Sequence, residues 1–187
     1  MNENENKKDR IIQAGRLQND INLDDLTNIY KRKIFDAISY LNFKINVFDF
    51  DGTLTNFRYA PDKLLPCKDY ELQIYCKDHN LYENAEALKT MQYIINELDP
   101  NNIYVLTSTV PSLRENKNRF IYGNFPTIKK ENIIHTKGAD EKLEVLKRIY
   151  EERQLPIIFV EDLYKTLLNA EETYDFVRSL HISNLIP

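Results

Sequence analysis

The two aspartates of this sequence that are best placed for chemistry are Asp49 and Asp51, which are separated by a single residue. They follow the largely apolar run of residues 44–48 and precede Gly52, where the chain is expected to leave β geometry, so both carboxylates can face one pocket. Asp49 can attack a phosphorus atom. Asp51 can protonate the leaving oxygen and later accept a proton from the attacking water. Gly52 would allow a tight turn that brings backbone amides towards a phosphoryl group.

A calcium-binding loop and an ordinary acidic turn are the structural alternatives for this segment. An EF-hand loop needs a glutamate at its twelfth position, and counting from Asp49 places Ala60 there. The EF-hand interpretation therefore fails, and the choice between an acidic turn and a catalytic one depends on what surrounds the pair.

The elements that must hold this segment alternate along the chain between apolar strands and amphipathic helices. Strands are predicted over 44–49, 103–106, 132–135, 157–160 and 180–185, and helices over 24–41, 84–98, 140–152 and 167–176. Because the main strands are apolar on both faces, we expect a parallel sheet covered by helices, which is an α/β doubly wound fold.

Polar side chains suited to chemistry follow three of these predicted strands. Asp49 ends the first, Thr107 follows the second, and Glu161 and Asp162 follow the strand over 157–160. Ligands of such sheets bind at the carboxyl ends of the strands, near the point where the strand order reverses. The sequence therefore predicts that these four residues surround one site.

The run Asp49–Thr55, which reads DFDGTLT, resembles the nucleophile motif of the haloacid dehalogenase superfamily, and the resemblance continues in order over most of residues 44–187. It implies a Rossmann-like core over 43–187. The helix predicted from apolar spacing over 24–41 makes residues 1–42 an N-terminal helical extension. Residues from about 55 to 82 would form a small cap insertion, too short for a full cap domain. A small cap leaves the site open, which suits a phosphorylated macromolecule, or a small substrate closed off by a partner subunit in a homo-oligomer.

The same resemblance implies substrate contacts around the first two motifs. Thr107, with Ser108 as a one-residue alternative, would hydrogen-bond a phosphoryl oxygen with help from the next backbone N–H. Phe50 and Gly52 would contribute to substrate binding in the turn after the nucleophile.

A lysine that steadies the nucleophile and the negative charge developing on the phosphoryl group is also implied. Lys142, early in a predicted helix, and Lys137, in the loop before it, are the two candidates, and Lys142 is preferred. Lys137 is kept as a substrate-binding candidate. Without the resemblance, either lysine would be interpreted as an ordinary surface charge.

Glu161 and Asp162 are the predicted metal ligands. Adjacent acids that close an apolar strand are costly unless they face water or a cation. With the Asp49 carboxylate and the Asp51 backbone carbonyl, the resemblance implies that they hold Mg²⁺, an ion that prefers oxygen ligands. Asp162 is the preferred direct ligand, and Glu161 would bind either directly or through water. Many members of the family carry a further acid four residues after this pair, and Thr166 occupies that position here.

The resemblance as a whole implies a Mg²⁺-dependent phosphatase that hydrolyses a phosphate monoester through an aspartyl-phosphate intermediate on Asp49. The dehalogenase branch of the family lacks an acid at the position of Asp51, and a mutase usually needs a larger closing cap. Two alternatives stay open. One is a catalytically silent protein that keeps the fold and binds a partner, and the other is an accessory subunit docked through the helix over 24–41.

Composition argues against several other classes of protein. The net charge of −4, with acidic and basic residues mixed along the 187-residue chain, disfavours general nucleic-acid binding. No apolar run approaches the roughly 18 residues that a transmembrane helix needs, and the polar N-terminus does not resemble a secretory signal. Two cysteines, Cys67 and Cys76, are too few for a disulfide framework. We expect a cytoplasmic globular protein that does not associate with membranes.

Overall fold

A parallel β-sheet with helices packed against it organises the described part of the chain. The computed structural model describes residues 23–56, 79–83 and 85–186. Its helices and strands, in chain order, are α1 (Leu23–Leu41), β1 (Ile45–Phe48), β2 (Thr55–Asn56), β3 (Glu86–Ala87), α2 (Lys89–Asn96), β4 (Ile103–Ser108), α3 (Arg114–Asn124), β5 (Ile133–Thr136), α4 (Ala139–Arg153), β6 (Ile157–Glu161), α5 (Tyr164–Thr173) and β7 (Val177–His181).

The main sheet has five strands in the order β5-β4-β1-β6-β7, and every neighbouring pair is parallel. Within this sheet, the chain passes first through the central strand β1 and then outward through β4 and β5. It then crosses to β6 and β7 on the other side of β1. This is an α/β fold compatible with a Rossmann-like arrangement, so the coarse prediction of the fold is confirmed. Phe48 at the end of β1 pairs with Val105 of β4 and Val160 of β6, so β1 and β6 end side by side and β4 extends three residues beyond Val105.

Both faces of the sheet are buried under helices. In β4, for example, Ile103 and Val105 belong to one hydrophobic cluster, and Tyr104 and Leu106 belong to the other. Helices α1, α2 and α3 complete the first cluster with Ala37, Leu41, Met91, Ile94, Ile95 and Ile121. Helices α4 and α5 complete the second with Val145, Leu146, Ile149, Leu167 and Ala170. The strands are apolar on both faces because each face packs against helices.

Helix α1 is tied to the body of the domain at two points. Near the middle of the helix, the Lys33 ammonium donates hydrogen bonds to the carbonyls of Ser183 (3.1 Å) and Ile186 (2.7 Å). At the C-terminal end, the buried Asn46 amide in β1 donates to the carbonyl of Leu41 at 3.0 Å, where the last turn of the helix lacks an internal partner. The helix therefore shares the core of the sheet, as its apolar spacing predicted.

Three elements, α2, α5 and β7, differ in their bounds from the sequence prediction. Helix α2 begins at Lys89 and not near residue 84, because Glu86–Ala87 pairs as a short antiparallel strand with Thr55–Asn56. Helix α5 spans Tyr164–Thr173 and not 167–176. Strand β7 spans Val177–His181 and not 180–185, because a 3-10 helix follows at Ile182–Asn184. Between α5 and β7, Phe176 stacks on Tyr150 with ring centroids 3.9 Å apart. Phe176, which the sequence pattern assigned to the helix, thus follows the end of α5 and packs against α4.

Part of each predicted accessory segment lies outside the described residues. This applies to residues 1–22 of the predicted N-terminal extension and to residues 57–78 of the predicted cap insertion. Within the ranges that the structure describes, no helix combines the length and the apolar character that crossing a bilayer requires.

The packing of α1 gives a direct test of the fold. Leu41 is fully buried, whereas Phe35 on the same helix is 70% exposed. We expect Leu41→Ala to lower the free energy of unfolding by about 2–5 kcal/mol, because it leaves a cavity in a shared core. Phe35→Ala, the matched control, should change it by less than about 0.5 kcal/mol. Urea unfolding followed by circular dichroism measures both, and equally small effects would contradict the packing of this helix.

Candidate functional site

Three acidic side chains converge where β1 and β6 end. Asp49 directly follows β1, Glu161 is the last residue of β6, and Asp162 comes next. The Asp49 amide donates to the Val160 carbonyl at 2.8 Å, which fixes the two strand ends against each other. One carboxylate oxygen from each of Asp49, Glu161 and Asp162 lies within 4.8 Å of the other two. The adjacency of two parallel strands thus brings together residues that are far apart in the sequence.

Lys142 joins this cluster from the first turns of α4. Its ammonium donates to Asp49 Oδ1 at 2.6 Å and to Glu161 Oε2 at 2.7 Å. Lys137, the other lysine candidate, has a side chain that is 92% exposed, and its ammonium lies 4.0 Å from Glu141. Lys142 is therefore the lysine that contacts Asp49, and Lys137 is not among the residues brought to the carboxylates.

Burial and mutual charge shift the pKa values of the ionisable groups in this cluster. Burial raises the pKa of Asp49 to about 6, although Lys142 opposes the shift and the nearby Asp51 charge adds to it. Burial, and then the Asp49 charge, raise the pKa of Glu161 to about 8. Burial alone would lower the pKa of Lys142, but the charges of Asp49 and Glu161 raise it. One ammonium does not compensate two buried carboxylates, so protons or a further cation must make up the difference.

The three acids are chemically suited to a divalent cation. When ionised, Asp49, Glu161 and Asp162 carry three negative charges against the single positive charge of Lys142, which leaves two to be balanced. All the candidate donor atoms are carboxylate oxygens, the ligand type that Mg²⁺, Ca²⁺ and Mn²⁺ prefer. The Asp51 backbone carbonyl, also predicted as a ligand, stays a prediction.

Gly52 allows the turn after Asp49 to approach Asp162 closely. Its φ is +76°, a conformation that residues with a side chain rarely adopt. A Cβ atom built on Gly52 would collide with Asp162 Oδ2 and lie 2.8 Å from Asp162 Cγ. The turn and the acid therefore fit together only because this position lacks a side chain.

Asp51 is held by two residues that the sequence interpretation missed. Lys117 of α3 donates to Asp51 Oδ2 at 2.7 Å and to Thr107 Oγ1 at 2.8 Å, and the Tyr82 hydroxyl donates to Asp51 Oδ1 at 2.9 Å. Lys117 lies four residues from each of Leu113 and Ile121, which are buried. This helical spacing between apolar residues is the feature of the sequence that could have identified Lys117 as a buried lysine.

The remaining predicted substrate contacts have distinct positions. Thr107 is buried near the end of β4, and Lys117 links it to Asp51 by donating a hydrogen bond to each of them. Ser108 is exposed, and its hydroxyl lies 3.3 Å from Thr136 Oγ1 on β5. The Phe50 ring is fully buried and packs edge-on against Tyr82, with ring centroids 5.3 Å apart. Any contact of Phe50 with a substrate would therefore involve its backbone.

A half-buried histidine borders the Lys117 side of the site. His135 on β5 contacts Thr109 Oγ1 at 3.0 Å and Asn118 Oδ1 at 2.7 Å. Burial, followed by the charges of Arg114 and Lys117, lowers the pKa of His135 to about 4. Its imidazole is therefore neutral at neutral pH, mainly because it is partly buried and secondarily because two cations lie nearby.

A groove of about 790 Å³ lies elsewhere, between α1 and residues near the C-terminus. Its lining includes Ile29, Arg32 and Leu185, and none of the candidate site residues. We place the candidate site at the strand ends because convergent buried charges indicate chemistry more directly than the size of a cavity does.

No protein-family model and no curated protein sequence matches this chain. Membership of the haloacid dehalogenase superfamily therefore stays a prediction from the motif residues. What the side chains can do has to follow from their own geometry and charge.

Because Gly52 fits closely against Asp162, we expect alanine to be much more destabilising at Gly52 than at Gly123. Gly52→Ala should lower the free energy of unfolding by about 1–3 kcal/mol, because it strains the backbone and displaces the Asp162 carboxylate. Gly123→Ala is the matched control, since a Cβ atom there would meet nothing within 4 Å and alanine favours a helix. Urea unfolding of both variants tests this, and an unaffected Gly52→Ala would contradict the geometry of the turn.

Proposed function

We propose that the protein is a Mg²⁺-dependent phosphatase of the haloacid dehalogenase type, which hydrolyses a phosphate monoester through a phosphorylated Asp49. The observation that carries this proposal is the position of Asp49. Its carboxylate contacts Lys142 and lies within 4.8 Å of oxygens of Glu161 and Asp162. A buried aspartate beside a lysine and two further acids is poorly explained as a plain acidic turn, because nothing in such a turn requires burying the charge.

The reaction that these residues would support has two steps. In the first, an Asp49 oxygen bonds to phosphorus while the bond from phosphorus to the leaving oxygen breaks, and Asp51 gives that oxygen its proton. In the second, water attacks phosphorus and passes a proton to Asp51, which releases inorganic phosphate and restores the Asp49 carboxylate. Lys142 would neutralise charge on Asp49 and on the phosphoryl oxygens throughout.

Asp49, Glu161 and Asp162 would hold the Mg²⁺ ion. When bound, the ion would offset the repulsion between the anionic nucleophile and the anionic phosphate. The support for it is the charge that Lys142 leaves unbalanced and the all-oxygen donor set, together with the close packing of the Gly52 turn against Asp162.

A role in binding a partner is the second candidate function. Apolar side chains on α1 favour it, because Ile29 and Phe35 are 58% and 70% exposed. Such a protein could keep the fold while lacking turnover, or act as an accessory subunit. It would show no metal-dependent phosphate release from any ester of a broad panel.

Phosphate release from aryl and alkyl phosphate esters tests the enzymatic proposal. We expect turnover with Mg²⁺ and none with excess EDTA. Asp49→Asn should abolish turnover because the amide is not a nucleophile, and Lys142→Met should lower kcat by about 10²–10³-fold through lost charge stabilisation. Lys147→Met removes an exposed lysine from the same helix and should leave the activity unchanged. Turnover that survives in Asp49→Asn would rule out the covalent intermediate.

Cation binding should tighten as the pH rises. Without a cation, the raised pKa values of Asp49 (about 6) and Glu161 (about 8) mean that the folded state holds more protons than the unfolded state, so stability falls as the pH rises through this range. Mg²⁺ must displace those protons, and it should therefore stabilise the protein more at about pH 9 than at about pH 6.

A concentration of Mg²⁺ a hundredfold above Kd should add about 2.7 kcal/mol, which raises Tm by roughly 5–10 °C for a chain of this length. Thermal unfolding with and without MgCl₂ measures the shift. Glu161→Gln should remove most of it, whereas Glu151→Gln, an exposed glutamate of α4, should not. A pH-independent shift that persists in Glu161→Gln would place the cation elsewhere.

A further inference from the structure

Lys117 is a buried ammonium with every hydrogen engaged. Its side chain is 2% exposed, and it donates to Asp51 Oδ2 (2.7 Å), Thr107 Oγ1 (2.8 Å) and the Ser108 carbonyl (3.1 Å). An ammonium has three N–H donors, so these three acceptors use all of them and fix the direction of each. The Ser108 carbonyl anchors the group to the backbone of β4, and the other two contacts reach the side chains that the proposed reaction uses.

A purely structural role does not account for this lysine. Lys117 lies four residues before the buried Ile121 of α3 and four after the buried Leu113, which precedes the helix, and an apolar side chain there would avoid the cost of desolvating a charge. The ammonium also lies 5.3 Å from the centroid of the Phe50 ring and 5.7 Å from that of Tyr82. These ring faces offset part of that cost, and the ion pair with Asp51 offsets more.

We propose that Lys117, together with the Tyr82 hydroxyl, positions Asp51 for proton transfer and orients the Thr107 hydroxyl towards the phosphoryl group. This proposal rests on the phosphatase function proposed above. Lys117 and Tyr82 are positioning residues in it, because neither is assigned a contact with the substrate.

The two contacts to Asp51 hold its carboxylate by opposite oxygens. Tyr82 donates to Oδ1 and Lys117 to Oδ2, so the two hydrogen bonds fix the plane of the carboxylate and occupy one lone-pair site on each oxygen. A carboxylate has about four lone-pair sites, and the two that remain are free to exchange a proton with the leaving oxygen or with water. A general acid that is already oriented loses little freedom when the substrate binds.

The contact to Thr107 makes its hydroxyl oxygen the acceptor and directs the hydroxyl hydrogen away from Lys117. Lys117 has only hydrogens to offer, so Thr107 Oγ1 must accept in this pair. The hydrogen of the Thr107 hydroxyl is then left to donate to another acceptor, such as a phosphoryl oxygen. Lys117 thus leaves the Thr107 hydroxyl free to donate a hydrogen bond and holds the Asp51 carboxylate in place to transfer a proton.

Two esters of similar shape separate this role from a general structural one. The leaving group of 4-nitrophenyl phosphate departs as a stable anion, whereas that of phenyl phosphate depends more strongly on a proton from the general acid. The parameter to compare is kcat/KM, which reports the first irreversible step and hence the loss of the leaving group. Asp51→Asn defines the effect of removing the acid itself.

We expect Lys117→Met to lower kcat/KM for phenyl phosphate by about 10²–10³-fold, and for 4-nitrophenyl phosphate by at most about tenfold. Tyr82→Phe keeps the ring and removes only the hydroxyl, so it should shift the ratio of the two esters in the same direction by a smaller factor. In Asp51→Asn, adding Lys117→Met should cost little more, because the two residues act on one step.

Equal losses with both esters in a folded Lys117→Met variant would overturn the proposal, as would an unchanged ratio in Tyr82→Phe. Circular dichroism and thermal unfolding establish whether Lys117→Met is folded, and Lys147→Met is the matched control for removing a lysine. If Lys117→Met does not fold, the ratio measured in Tyr82→Phe decides. Absence of turnover in the unmodified protein would contradict the phosphatase function itself, which distinguishes the two failures.

Discussion

The interaction on which the candidate site depends is the burial of one ammonium between two carboxylates that end neighbouring strands. Lys142 contacts Asp49 and Glu161 at 2.6 and 2.7 Å, and all three side chains are almost inaccessible to water. Removing one partner of such a group would leave an uncompensated charge in the interior, which is strongly destabilising. The positions of β1, β6 and α4 are therefore coupled through charge as well as through hydrophobic packing.

A second ion pair approaches the same turn from the other side of the sheet. Lys142 belongs to α4, which packs on one hydrophobic cluster, and Lys117 belongs to α3, which packs on the opposite one. The turn after β1 carries Asp49 towards the first lysine and Asp51 towards the second. Two carboxylates separated by one residue thus acquire different surroundings, and differing surroundings allow two acids to take different parts in one reaction.

Much of this arrangement could be predicted from sequence because it depends on local pattern. Apolar runs that end on acids identify strand ends, and parallel pairing brings such ends to one edge of the sheet, which is why Asp49 and Glu161 were expected to meet. Lys117 could not be assigned in this way, because its helix Arg114–Asn124 is largely polar and its partner Asp51 is 66 residues away. The choice between Lys137 and Lys142 likewise depended on which residues α4 turns inward, a property of tertiary packing.

The charges of the two clusters together constrain how a phosphate ester would be accommodated. Four carboxylates, from Asp49, Asp51, Glu161 and Asp162, face two ammonium groups, and a divalent cation would bring the sum to zero before any substrate binds. The proposed first step also requires a proton on Asp51, which would leave one positive charge to receive a phosphate dianion. The total charge does not change in that step, because Asp49 loses its charge on forming the acyl phosphate and Asp51 becomes charged on giving its proton to the leaving oxygen. Negative charge on the two aspartates thus moves from Asp49 to Asp51, beside Lys117, and the Lys142 ammonium, which stays paired with Glu161, can interact more strongly with a phosphoryl oxygen.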